Sequence, residues 1–474
     1  MVLKIHDTLT GEKREFKPLH GNRVYMFVCG PTVYDYSHVG HARVYVFFDV
    51  VARYLRYRGY SVFYIMNITD IDDKIINRAR EEGVSWENIA EKYTKFFLED
   101  MEKLNIKSVN LYAKATEHIP EIIDQIKTLI DKGYAYEVNG NVYFDVRKFK
   151  DYGKLSKQRL EDLIHGARVE VDPNKRFPAD FALWKAWKEG EPYWESPWGK
   201  GRPGWHIEDT AITLTYFGPQ YDIHGGGIDL IFPHHECEIA QAEAATGKKP
   251  FVRYWMHNEL LWIEGQKMSK SLGNIVTIRE ALSKHDFETI RLFLLSTHYR
   301  RRINYSERLL KEAEKKLERM YSAIFMLEEC LENPLSEETE LERKFMERFK
   351  LAMEKVIERM DDDFDTSGAL TEVYVFMKEL KTFLMENRGV TAENGEKILK
   401  WIRDDLSSIF GIFTRERKKL PAEKLIDILV DVRSELRKRK IYDLADKIRE
   451  HLKEIGVELE DVEDKTIWRL KGAI

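Results

Sequence analysis

Residues 23–28, RVYMFV, form a run of apolar, β-branched and aromatic side chains that ends at Cys29-Gly30-Pro31. So short an apolar run reads as a strand buried on both faces, and the Gly-Pro pair turns the chain out of it. Beyond the loop, Val44, Phe47, Phe48, Val51, Tyr54 and Leu55 recur at helical spacing across 42–58, and Gly59 closes the helix. SVFYIMNIT (61–69) reads as a second buried strand, and 72–83 as a helix with a glycine stop. Strand, helix, strand in this order implies a right-handed crossover and a parallel sheet, so this stretch fixes an α/β core. Ligands bind such sheets at the carboxyl ends of the strands, where Cys29 falls.

The remaining chain changes texture three times. A helix is predicted near 119–132, stopped by Gly133, then a hairpin about Asn139-Gly140 and a stretch rich in Trp, Pro and Lys. This reads as an insertion splitting the first domain, whose sheet pattern resumes around 205–265. From Tyr305 the chain reads as helix: Leu310, Ala313, Leu317, Met320, Ile324, Leu327 and Leu331 form one apolar stripe, and further helices across 341–413 suggest an antiparallel bundle. Pro421 opens a last unit of two helices, 422–437 and 442–455, with a strand pair holding Thr466-Ile467-Trp468. The expected boundaries are 1–115 and 204–304 for the two halves of the α/β domain, 116–203 for an α+β insertion, 305–418 for the bundle and 419–474 for the final unit.

A length of 474 residues with 43% hydrophobic content supports several cores, and a net charge of -5 argues against a uniformly basic protein. RNA binding would have to use local basic patches. Three cysteines, Cys29, Cys237 and Cys330, are too few for a disulfide framework and fit the reducing cytoplasm. Neither a signal-peptide pattern nor an apolar run of membrane-spanning length is present, so a soluble cytoplasmic chain is expected. Abundant Lys, Glu and Arg suggest resistance to heat.

Two motifs carry chemistry. His38-Val39-Gly40-His41 sits at a helix entry just past the first strand, where the helix end attracts anions, glycine allows close approach and imidazoles donate to phosphate oxygens. Lys267-Met268-Ser269-Lys270-Ser271 places two lysines three residues apart, suited to a pyrophosphate leaving group. Singly these would be an ordinary helix entry and an ordinary solvated loop; together in an α/β frame they are specific.

With both signatures the chain resembles the class I aminoacyl-tRNA synthetases, and along nearly its whole length the cysteinyl-tRNA synthetases. Cys29 to Asp35 (CGPTVYD), Thr69 to Lys74 (TDIDDK), Arg202 to Glu208 (RPGWHIE), His224-Gly225-Gly226-Gly227 and Phe232 to Glu236 (FPHHE) with Glu238 carry the narrower match. The resemblance implies a Rossmann-like catalytic domain with a connective insertion, a helical bundle and an anticodon-binding tail. It implies activation of cysteine with ATP and Mg2+, then transfer to the 3′ end of tRNA(Cys), by a chain read here as a monomer. His38, Gly40, His41, Lys267 and Lys270 would be catalytic, Gly227 and Asp229 would meet the adenosine, and Cys29, Thr69, Trp205 and His234 would form the amino-acid pocket.

It also implies a zinc ion held by the cysteine after the first strand, a second cysteine, and the histidine and glutamate His234 and Glu238. Thiolate, imidazole and carboxylate all suit zinc, and zinc that takes the substrate thiolate separates cysteine from serine. The second cysteine is replaced by Asp209. Asp209 as ligand is the first expectation, Cys237 swinging in is the second, and loss of the metal is the third. Arg437, Lys438, Arg439 and Trp468 are the expected tRNA contacts, as basic and aromatic groups suit splayed bases. The competing readings are a same-fold cysteine ligase acting on a small-molecule amine, a non-catalytic RNA-binding paralogue, and a synthetase with altered amino-acid specificity.

Overall fold

A computed structural model describes residues 2–160, 172–268, 273–417, 422–462 and 465–470. The chain divides into two compact units, Met1–Thr414 and Arg415–Ile474. The first is built on a five-stranded sheet. Its strands are β1 (Arg23–Val28), β2 (Ser61–Ile68) and β3 (Leu111–Lys114), then β4 (Tyr221–Gly227) and β5 (Val252–Asn258). They lie in the order β5-β4-β1-β2-β3, every pair parallel. That order reverses direction between β1 and β4, and the crevice at such a reversal is where doubly wound folds bind ligands.

β1 is apolar on both sides because both sides are covered. Val24, Met26 and Val28 belong to one core with helix α1 (Val39–Tyr57), while Phe27 and Cys29 belong to the opposite core with the insertion. Successive strand side chains alternate between faces, so a run without polar residues is what a doubly covered strand requires. α1 starts three residues earlier than its apolar spacing predicts, because His38 caps it.

The insertion is a four-stranded antiparallel sheet of Ala135–Val138, Asn141–Phe144, Phe181–Ala186 and Gly201–Pro203. Its first turn has Asn139 at φ 52° and Gly140 at φ 79°, both left-handed, as a two-residue hairpin demands. Phe181–Ala186 falls in the Trp- and Lys-rich stretch that sequence periodicity left unassigned; Leu183 and Trp184 are fully buried there, and Lys185 pairs with Asp73 at 2.5 Å. Helices Glu307–Glu332, Glu340–Asp361 and Thr366–Asn387 pack against one another and share the apolar core of α1. Fully buried Arg291 fixes that junction, reaching Asp49 at 2.8 Å and the carbonyl of Phe410 at 2.8 Å.

In the second unit, helices Ala422–Lys438 and Tyr442–Glu454 cover a hairpin of Val457–Val462 and Lys465–Leu470. Its core is small, formed by Ile426, Val430, Leu452, Val457 and Leu459. Arg433, fully buried, forks onto both oxygens of Asp461 at 2.8 and 2.9 Å and staples helix to hairpin.

Candidate active site and metal centre

A cavity of about 480 Å³ opens at the carboxyl ends of β1, β4 and β5, lined by Cys29, His38, Trp205, Gly227, Asp229 and Asn258 among others. At its rim the first turn of α1 is closed by a reciprocal cap. The His41 amide donates to Nδ1 of His38 at 3.2 Å, and the His38 amide faces Nδ1 of His41 at 3.4 Å. Both Nδ1 atoms accept, so in each neutral ring the hydrogen sits on Nε2. The rings stack 3.6 Å apart. Burial, then His38 and Lys74, hold the His41 pKa well below the ordinary imidazole value. A Cβ on Gly40 would lie 2.8 Å from the Met268 methyl and 3.0 Å from His38 Nδ1, so a side chain there would have to displace the tip of Met268. Met268 therefore brings the start of the KMSKS loop onto the HVGH turn. The Lys267 side chain and residues 269–272, Lys270 included, lie outside the described residues.

The floor of the cavity is acidic and buried. Helix α2 (Ile207–Phe217) brings Asp209, and helix α3 (Glu236–Thr246) with the irregular turn before it brings His234 and Glu238, to meet Cys29. Cys29 Sγ lies 3.4 Å from Asp209 Oδ2 and 4.0 Å from Glu238 Oε1. His234 Nε2 is 2.9 Å from Asp209 and 3.0 Å from Glu238. Metal–ligand bonds of about 2.0–2.3 Å give tetrahedral edges of roughly 3.3–3.8 Å, so the four atoms sit at nearly the spacing one zinc-sized ion imposes.

The electrostatics point the same way. Burial, then Asp209 and Glu238, pushes the Cys29 thiol well up; burial, then Asp209 and Glu208, does the same to Glu238. Among the described residues, the ion-pair partners of Asp209 and Glu238 are histidines. Glu238 Oε2 is buried and accepts no hydrogen bond. Like-charged groups packed in low dielectric without a countercharge are costly, and a divalent cation removes that cost. The donor set fits a metal.

Cys237 does not complete the set. It is one residue from Glu238, about 100° round the helix, and its thiol faces the Tyr152 hydroxyl at 3.3 Å in the apolar core under the insertion. Thr69, expected in the amino-acid pocket, lies behind the cavity wall, where its hydroxyl donates to the buried Glu208 carboxylate. His234 is likewise screened from the cavity by Trp205, whose ring stacks on it at 4.3 Å and is 39% exposed. Asn67 ties the floor together, accepting from the Gly30 amide at 2.6 Å and donating to Asp209 Oδ1 at 2.6 Å.

Several site residues carried no role in the sequence reading. Both polar atoms of the Asn258 side chain are buried without a partner at the end of β5, facing the cavity, which marks it as ligand-directed. Its position at a strand end was the available signal. Lys74 lines the cavity over the Tyr34 ring. The HGGG run of β4 is explained by crowding: a Cβ on Gly225 would lie 2.2 Å from the Phe48 ring, and on Gly226 2.9 Å from His235.

In the second unit, three of the four expected tRNA contacts have partners within the unit. Arg437 pairs with Asp461, Arg439 with Glu435 at 3.0 Å, and the Trp468 indole N–H donates to Asp427 at 2.7 Å. Lys438 is exposed.

Residues 15–315 match the family of tRNA synthetases class I (C) catalytic domains. The chain is 50% identical over 474 residues to the cysteine–tRNA ligase of Thermococcus gammatolerans, and 51% identical over 474 residues to that of Thermococcus kodakarensis. Each alignment covers 99% of both chains. A methionyl-tRNA synthetase of Mycobacterium tuberculosis, solved with methionyl-adenylate, superposes with a TM-score of 0.63 over 86% of this chain and 94% of its own, at 16% identity. At that identity the likeness is one of fold, and it is the fold the strand order implies. Sequence match, strand order and buried donor set agree, and the chain belongs to the cysteine–tRNA ligases of the class I aminoacyl-tRNA synthetases.

Proposed function

We propose that this chain activates cysteine with ATP and joins it to the 3′ end of tRNA(Cys), in two in-line steps that use no protein nucleophile. The observation that carries the reading is the convergence of Cys29, Asp209, His234 and Glu238 beneath a cavity whose rim is the HVGH turn. In the first step the cysteine carboxylate attacks the α-phosphate and pyrophosphate leaves. The Nε2 hydrogens of His38 and His41, at a helix N-terminus, stabilise charge on the phosphate oxygens as it develops. Lys267 and Lys270 hold the departing pyrophosphate, accompanied by Mg2+. Gly227 and Asp229 receive the adenosine, and Trp205 walls the amino-acid side.

Zinc is the ion this donor set suits, held by Cys29, Asp209, His234 and Glu238; when bound it supplies a Lewis acid that prefers the sulfur of cysteine to the hydroxyl of serine. Asn67 keeps the Asp209 carboxylate oriented toward the cluster. tRNA recognition is assigned to the Arg415–Ile474 unit, with Lys438 as an exposed cation and Arg437, Arg439 and Trp468 available by exchange of their present partners. Three free cysteines fit a cytoplasmic protein, and we take the working assembly as a monomer. Among the described residues, no helix is long and apolar enough to cross a membrane.

The test is cysteine-dependent ATP–pyrophosphate exchange with serine as competitor and zinc quantified in the same sample. One zinc per chain with exchange for cysteine alone is expected. Exchange without zinc overturns the metal assignment, and absence of exchange in a folded, ATP-binding protein overturns the reaction.

A further inference from the structure

Cys29 and Glu238 belong to two ligand sets. The first is completed by Asp209 and His234; the second is completed by His224 and His235. His235 Nε2 lies 3.1 Å and His224 Nε2 3.4 Å from Cys29 Sγ, and His235 Nε2 lies 4.0 Å from Glu238 Oε1. All four donors are buried, and the atoms of each set fall within 4.8 Å of one another. The carboxylate oxygen of Glu238 that lacks a hydrogen bond, Oε2, lies 3.5 Å from Nδ1 of His224.

The outer ring atoms of this histidine pair are anchored. His224 Nδ1 meets the Tyr221 hydroxyl at 2.6 Å, and His235 Nδ1 meets His257 Nε2 at 2.8 Å, whose own Nδ1 rests on Thr8 Oγ1 at 2.8 Å. Metal-ligating imidazoles are ordinarily oriented by a hydrogen bond at the nitrogen turned away from the ion. Gly226 exists as glycine because the His235 ring passes under it, and Trp255 stacks on His224 at 4.4 Å. These rings are packed in place with both Nε2 atoms aimed at one sulfur.

We infer that the chain holds a second seat for its metal ion, Cys29–His224–His235–Glu238, lying inward of the Cys29–Asp209–His234–Glu238 seat and alternative to it. The two share a thiolate and a carboxylate, so one ion occupies one seat at a time. The outer seat abuts the Trp205 ring at the cavity wall. The inner seat is enclosed, with more imidazole and one carboxylate fewer. Asp209 gives the outer seat a single protein sulfur, which narrows the difference between the seats, since two imidazoles offset what one carboxylate and one imidazole supply. The inner seat retains the ion when the outer one releases it. The inference rests on the metal assignment made above but needs no ATP, tRNA or cysteine. A chain that fails pyrophosphate exchange and still seats an ion through His224 and His235 therefore sinks the proposed reaction alone.

The test uses Co2+, whose thiolate-to-metal absorption reports Cys29. In the full-length chain carrying Asp209→Asn and His234→Gln, substitutions that keep volume and hydrogen bonding, one Co2+ per chain with the thiolate band is expected. Adding His235→Ala to that protein weakens binding by at least about tenfold. A folded Asp209→Asn/His234→Gln protein that binds no Co2+ overturns the inner seat, and so does a wild-type chain that binds two. Should that variant not fold, His224→Gln/His235→Gln replaces it. Release of Co2+ to a chelator at least about tenfold faster than from wild type supports the inner seat, and an unchanged release rate overturns it.

Discussion

Asp49 and Glu238 are both fully buried carboxylates of the first unit, and their surroundings are opposite. Asp49 accepts from Arg291 at 2.8 Å and Arg53 at 2.7 Å on one oxygen, and from the Lys107 and Ser108 amides on the other. Burial raises its pKa, but Arg291, Arg53 and Ser108 outweigh that and hold it below the ordinary aspartate value. Glu238 has histidines, the Cys29 thiol and two more acids near it, and burial, then Asp209 and Glu208, pushes its pKa up. The first carboxylate is answered by the chain itself and is structural. The second has no cationic Lys or Arg partner among the described residues, a setting that a divalent cation would suit. Burial of charge alone therefore does not mark function; burial without a countercharge does.

The comparison breaks most visibly in stability. Asp49→Ala leaves the Arg291 guanidinium buried and unpaired, and should cost about 3–5 kcal/mol in urea or thermal unfolding. Glu238→Gln in metal-stripped protein should cost nothing or stabilise, since it removes a repelled charge; a loss matching that of Asp49→Ala would erase the distinction. Next comes the ion itself. Zinc at 100 times its Kd should raise wild-type unfolding free energy by about 2.7 kcal/mol, and Glu238→Gln should blunt the gain. Asn67→Ala, which removes the hydrogen bonds that hold Asp209 and the Gly30 amide without touching a ligand, should weaken zinc about 10–100-fold, read by chelator competition, and cost about 1–3 kcal/mol of metal-free stability. The smallest effect is in acid. A depressed folded pKa gives stability that is present above the unfolded aspartate value of about 3.9 and lost as pH falls through the folded value. Wild type should therefore lose stability on acidification below about pH 4 more steeply than Asp49→Asn, and equal slopes would show that the Arg291 pair does not hold Asp49 ionised.

What the sequence disclosed was local in the chain. The RVYMFV strand, the α1 stripe, the Asn139-Gly140 hairpin and the Leu310–Leu331 stripe are written in periods of a few residues, and all are present. The Phe181–Ala186 strand escaped because it lies in the Trp- and Lys-rich stretch, and periodicity does not register that its one polar residue, Lys185, faces Asp73. Cys29, Asp209, His234 and Glu238 were named in advance on a resemblance, but their meeting depends on the order β5-β4-β1-β2-β3, which no local pattern contains. The inner pair His224 and His235 was visible as letters in two motifs and invisible as a site, because only packing turns both Nε2 atoms toward one sulfur. Cys237 was weighed as a spare ligand, and one residue of helix rotation sends it to Tyr152 instead. The engagement of Arg437, Arg439 and Trp468 inside the last unit was likewise hidden, as charge runs do not reveal their partners.

The short connection from Cys29 at the end of β1 to His38 at the head of α1 has a consequence of scale. One end of that loop carries the buried donor cluster and the other the HVGH turn, and the two ends belong to the consecutive strand β1 and helix α1. The loop acts as a calliper of fixed jaw width. On the proposed reading, an amino acid whose thiol rests at one jaw would present its carboxylate at the other, and misplacement of a reacting atom by about 1 Å can cost on the order of 100-fold in rate.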